Sequence, residues 1–119
     1  MTDASAQLGA IMIDGHDIDA LAAFWSETVG VEIAERYPNF IFCSPIPGNK
    51  ARLAFQRVPE DKVVKNRLHL DLMHEDPEAF IAKVQRLGGS RLEDHESSAF
   101  HWTILADPEG NEFCVTPLH

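Results

Sequence analysis

A chain of 119 residues with 19 acidic against 10 basic side chains, a formal net charge of −9, has room for one domain and no independent second one. That balance repels nucleic acid and anionic membrane surfaces, which need clustered Lys and Arg. The hydrophobic share of 45% and aromatic share of 8% are ordinary for a soluble globular protein.

The opening MTDASAQ has no basic n-region and no apolar segment, so no signal peptide is expected. Residues 8–14, LGAIMID, alternate as a strand. Asp17 then caps DIDALAAFWSETV, whose Leu21, Phe24, Trp25 and Val29 fall at helical spacing. Gly30 stops that helix. Three strand-like runs follow, VEIAER (31–36), NFIFCS (39–44) and ARLAFQR (51–57), with PIPGNK as the turn before the last. The polar stretch 58–66 reads as a connector.

Beyond it the order recurs. Residues 67–73, RLHLDLM, read as a strand, and Asp76-Pro77 opens a helix with Phe80, Ile81, Val84 and Leu87 on one side. Gly88-Gly89 ends it. Strands at 90–96, 99–106 and 111–117 complete the set, with DPEG (107–110) as a tight turn. Asp17 and Asp76 are 59 residues apart, and so are Ala20 and Ala79, and Gly30 and Gly89. Each half is therefore βαβββ, 8–57 and 67–117, within one domain spanning 1–119.

A duplication of this kind fixes the architecture first. The expected fold class is α+β, two tandem βαβββ modules forming a curved mixed sheet, a half-barrel cup with helices outside. Alternation in 67–73 sends Leu68, Leu70 and Leu72 to the helix side and His69, Asp71 and Met73 into the concavity. Ala10, Met12 and Asp14 face it at the same offset. Sheet edges left open by such a fold call for a homodimer.

No apolar run approaches the roughly 18 residues of a membrane span. Cys43 and Cys114 lack CxxC spacing, which suits a reduced, cytoplasmic protein. Lys50, Arg52, Arg57, Lys62, Lys65 and Arg67 gather mid-chain and leave room for a small anionic ligand. GxSxG, P-loop, HExxH and Rossmann glycine patterns are all missing.

The paired βαβββ pattern, the first-helix segment LAAFWSETVGVEI and the near-terminal DPEGNEFCV resemble the glyoxalase/bleomycin-resistance/dioxygenase superfamily, the vicinal oxygen chelate fold. RLAFQRVPEDKVVKNRLHLDL and WTILADPEGNEFCV look like its bacterial glyoxalase-like branch, and the likeness covers residues 8–117. The resemblance implies metal ligands on the first and fourth strands of each module, chelating vicinal substrate oxygens. It places His69 on the second module's first strand and Ala10 on its counterpart. The first module's fourth-strand position falls near Ala54, with Gln56 on the same face. In the second module Cys114 stands where a Glu is usual, and Glu112 lies one pleat earlier.

With Ala10 and Cys114 in ligand positions, no cofactor is expected; a divalent metal such as zinc would fall to His69 and Cys114. The resemblance then implies two readings. In the first, a lyase- or isomerase-type enzyme works on a small oxygenated metabolite with His69 as general acid or base. In the second, an antibiotic-sequestering protein binds its ligand without chemistry. Either would draw substrate contacts from Met12, Asp14, Gln56 and Asp71, with Met73, His101, Glu112 and Cys114 beside them. His69 also reads as a plain polar strand residue, and Cys114 as a small buried hydrophobe. AFHWTILA (99–106) fits two registers: one sends His101 and Thr103 into the cup, the other Trp102.

Overall fold

The computed structural model describes residues 5–97 and 100–118. Contacts divide the chain into two compact units, Met1–Pro59 and Glu60–His119. The first runs β1 (Ala10–Gly15), α1 (Ile18–Val29), β2 (Ile33–Arg36), β3 (Phe40–Pro45) and β4 (Arg52–Arg57). The second runs β5 (Leu70–His74), α2 (Pro77–Arg86), β6 (Ser90–Ser97), β7 (Phe100–Ala106) and β8 (Glu112–Pro117). Both are βαβββ, so the expected α+β duplication is present. Ala99, which opens the strand expected at 99–106, lies outside the described residues.

Each unit forms an open four-stranded sheet, ordered β1-β4-β3-β2 in the first and β5-β8-β7-β6 in the second. The first strand of each unit pairs in parallel with the last, and the remaining pairs are antiparallel. A parallel neighbour needs a crossover, which the intervening helix supplies.

The helices start where the sequence places them. Asp17 accepts a hydrogen bond from the Ala20 N–H at 3.1 Å, and Asp76 does the same for Ala79 at 3.2 Å. Gly30 closes α1 with φ 71°, a left-handed conformation that glycine adopts without strain. On α1 the buried Ile18, Leu21, Ala22, Trp25 and Thr28 form one stripe against the first sheet. On α2 the buried face is Phe80, Ile81 and Val84.

The second sheet turns Leu70 and Leu72, Thr103 and Leu105, and Phe113 and Val115 toward α2; the last four are buried. Leu68 does not join them. Pairing with β8 begins at Leu70↔Phe113, and the preceding Arg67-Leu68 is a bend, so Leu68 is 90% exposed. The expected helix-side row of three leucines is a row of two. Asp107 makes DPEG the tight turn expected: its carboxylate accepts from the N–H groups of Glu109 and Asn111 at 2.9 and 3.0 Å.

Outside the core, Arg91 bridges Glu78 of α2 and Asp94 of β6, and the Thr103 hydroxyl donates to Asp94 at 2.8 Å. Arg91 first, and Thr103 second, hold the Asp94 carboxyl below its ordinary value. A depressed carboxylate contributes stability that is present above its unfolded pKa and lost as pH falls through the folded one. Acid titration of unfolding is therefore expected to show a loss below about pH 4 that Asp94→Asn reduces. Trp25→Ala is expected to cost about 3–5 kcal/mol in denaturant unfolding, whereas Leu68→Ala stays within about 0.5 kcal/mol.

Candidate functional site

On the face of the second sheet turned away from α2, β5 and β8 place two polar side chains opposite each other. The parallel register pairs Asp71 with Cys114. His69, two residues before Asp71, precedes β5 yet keeps its alternation and falls on the same face. Its Nε2 stands 3.4 Å from Asp71 Oδ1. A nitrogen, an oxygen and a sulfur donor thus lie within 4.8 Å of one another. The two rim residues are open to water, with side chains 44% and 68% exposed, whereas Cys114 is buried at 5%. Burial pushes the Cys114 thiol above its ordinary pKa, and the Asp71 carboxylate beside it pushes the same way.

His69 and Cys114 border a pocket of about 70 Å³ whose lining also includes Lys65, Trp102 and Ile104; Asp71 stands beside these two but does not line it. Glu112 and Asn66 form its remaining wall and are committed to each other. Glu112 Oε1 accepts from the Asn66 N–H at 2.9 Å, and Oε2 pairs with Lys62 at 3.2 Å. Burial works to raise the Glu112 carboxyl, but the Asn66 N–H and Lys62 outweigh it and hold it below the ordinary value. Glu112 therefore clasps the segment that delivers His69.

Of the other residues singled out in the sequence, Met73 shares the face of Asp71 and is 60% exposed, but it does not border this pocket. His101 pairs with Glu96 on the Thr103 side of β7, so it points away from the pocket. Trp102 takes the place that one register had reserved for His101. It stacks on His95 at 5.2 Å with planes 14° apart, and His95 Nε2 meets Glu93 at 2.8 Å. Buried Thr103 and Leu105 decide that register; the apolar residues of AFHWTILA occupy both parities, so alternation alone left it open. Met12, Asp14 and Gln56 belong to the first unit. There Met12 lies opposite Ala54 and Asp14 opposite Gln56 on the face away from α1.

Residues 10–116 match the family model described as a glyoxalase-like domain. The chain belongs to the glyoxalase-like family. No curated protein matches it. Among solved structures, this glyoxalase-like chain is similar to a glyoxalase/bleomycin resistance/dioxygenase family enzyme from Burkholderia phytofirmans. The two are 21% identical with TM-score 0.72, covering 96% of this chain and 100% of that one. A genomically encoded fosfomycin resistance protein of Listeria monocytogenes, solved with Mn(II) and dihydroxypropylphosphonic acid, is 11% identical with TM-score 0.77 over 94% and 90%. An antibiotic-binding protein from a Streptomyces strain is 18% identical with TM-score 0.70 over 99% and 100%. At these identities the likeness establishes the fold.

The family's divalent metal has a donor set to meet here. Imidazole, carboxylate and thiol together suit zinc and are a poor match for magnesium or manganese, which favour oxygen. Asp71 is the member of this group that the sequence did not place beside His69 and Cys114 as a candidate metal ligand; its register with Cys114 brings it there. Glu112→Ala is expected to speed hydrogen exchange at the Asn66 amide by about tenfold or more, the scale of a charge-assisted bond, while α2 amides keep their protection.

Proposed function

We propose that this chain binds a small oxygenated metabolite in the pocket of its second unit and carries it through a lyase- or isomerase-type step. The observation behind this reading is the pocket itself: about 70 Å³, with His69, Cys114, Lys65 and Trp102 on its walls. Drug-sized ligands occupy roughly 300–1,000 Å³. This hollow suits a head group of a few polar atoms, which favours a metabolite over the sequestered antibiotic of the alternative reading. A neighbour solved with a dihydroxylated phosphonic acid supports a compact oxygenated anion as the ligand class.

Each wall has a part. Lys65 supplies positive charge for an anionic oxygen, and Trp102 offers an apolar plane that excludes water from one side. Glu112 and Asn66 fix the segment carrying His69. Held by His69, Asp71 and Cys114, a divalent cation would supply Lewis-acid polarisation of the ligand's oxygens.

The setting we assign is cytoplasmic, where Cys43 and Cys114, both free and buried, remain thiols. The partners are small molecules, with nucleic acid and membrane disfavoured by the −9 charge. A homodimer covering β6, the last strand of its sheet with Leu92 48% exposed, completes the reading. Sedimentation velocity is expected to show a dimer at micromolar concentration; a monomer at every concentration rejects it.

His69→Ala is expected to abolish ligand binding and turnover in a screen of small hydroxy- and keto-acids, with unfolding free energy within about 1 kcal/mol of the parent. Unchanged turnover in that variant would move the working site elsewhere.

A further inference from the structure

We infer that His95 is the positioning residue of Trp102, and that edge strand β6 thereby sets the shape of a pocket to which it gives no lining side chain. What that pocket binds is taken from the proposed function; how its wall is held follows from packing alone.

Register comes first. β6 ends the order β5-β8-β7-β6, and its His95 pairs directly with Trp102 of β7. Cross-strand partners stand about 4.5–5.5 Å apart at Cβ, so the backbone brings the two rings side by side. Their centroids are 5.2 Å apart with planes 14° from parallel, which puts face against face. Trp102 in turn lines the pocket together with Ile104, two residues on along β7. Both His95 and Trp102 are only half-buried, so core packing does not fix the indole plane. The imidazole does.

His95 is itself held. Its Nε2 meets Glu93 Oε2 at 2.8 Å. An ionised carboxylate only accepts, so Nε2 carries the proton in that bond. Glu93 and His95 are two residues apart on one strand and therefore share a face. With the bond to Glu93 fixing the ring's orientation, the face of the imidazole rather than its edge is presented to the indole. Support thus runs from Glu93 to His95 to Trp102 and so to the pocket.

The first unit repeats the device. There Glu35 of β2 accepts from the Tyr37 hydroxyl at 2.7 Å, and the Tyr37 ring meets Phe42 of β3 with centroids 6.1 Å apart. Again an acid holds a ring two residues on, and that ring packs on an aromatic of the next strand. The angle differs: Tyr37 meets Phe42 edge-on at 84°, whereas His95 lies flat on Trp102. A flat contact occupies one face of the indole and stops the ring from swinging toward β6, away from the pocket.

The test uses the full chain, with its two free cysteines as reporters. Cys114 lines the pocket and is 5% exposed; Cys43 is fully buried in the first unit. Alkylation by iodoacetamide, followed site by site by mass spectrometry, is expected to quicken at Cys114 by about two- to tenfold in His95→Ala, the factor a stacked pair is worth. Cys43 alkylation and hydrogen exchange at the α2 amides keep the parent rates. His95→Phe, which retains a ring to stack, is expected to keep Cys114 at the parent rate, and Glu93→Ala to quicken it by a smaller factor than His95→Ala. An unchanged Cys114 rate in His95→Ala, an equal rise at Cys43 or the α2 amides, or a fast Cys114 in His95→Phe overturns the assignment. With a hydroxy- or keto-acid that the parent turns over, His95→Ala is expected to raise KM by a similar factor and leave kcat unchanged; a loss confined to kcat overturns it too. A parent that turns over none of these acids removes the proposed function, and the Cys114 rate still decides the role of His95.

Discussion

The parallel pairing of β5 with β8 is the constraint on which the pocket depends. It sets Asp71 opposite Cys114 and, two residues back, brings His69 to the same face. The pairing is held from the opposite face, where Phe113 and Val115 are buried and Leu70 and Leu72 lie beside them. Side chains alternate with period two, so a slip of one residue would bury Asp71 and Cys114 against α2 and expose Phe113 and Val115. The register is thus secured by apolar burial that takes no part in the pocket. This is how a core with no chemistry of its own fixes the positions of groups that have some.

Comparison of the two modules locates what the first one lacks. Met12 lies opposite Ala54 in the β1–β4 pair as Asp71 lies opposite Cys114 in the β5–β8 pair. Ala10 precedes Met12 as His69 precedes Asp71. The same backbone arrangement therefore presents Ala10, Met12 and Ala54, none of which offers a hard donor or an acid. One scaffold carries a cluster of polar donors and its repeat carries an apolar strip. Nothing in the hydrogen-bonding pattern required that difference; it lies wholly in the side chains.

The architecture was legible because its signals are local and strong. Asp17, Gly30, Asp76 and the 59-residue offset mark helix boundaries through capping chemistry, and the structure places caps at Asp17, Gly30 and Asp76. The His69–Asp71 half of the site followed from alternation alone. Two features did not. Leu68 obeys the alternation but precedes the first paired residue, and no sequence period reports where pairing with β8 begins. Trp102 and His101 could not be separated because both parities of 100–106 carry apolar side chains. That choice is made by tertiary partners, Leu105 against Phe113 and the Thr103 hydroxyl against Asp94.

Cys114 and Glu112 show how one strand divides two tasks. The resemblance calls for an acid at the position of Cys114, and an acid does stand one pleat away on the same face. Glu112 is unavailable as a donor because its two oxygens already serve Asn66 and Lys62. Withdrawing it would strand the Asn66 N–H and free the segment that leads to His69. The carboxylate therefore does its work on the chain, clasping the strand's approach, and the thiol is left facing the donors. With that exchange β8 turns a thiol, not a carboxylate, toward His69 and toward Asp71 on the adjacent strand.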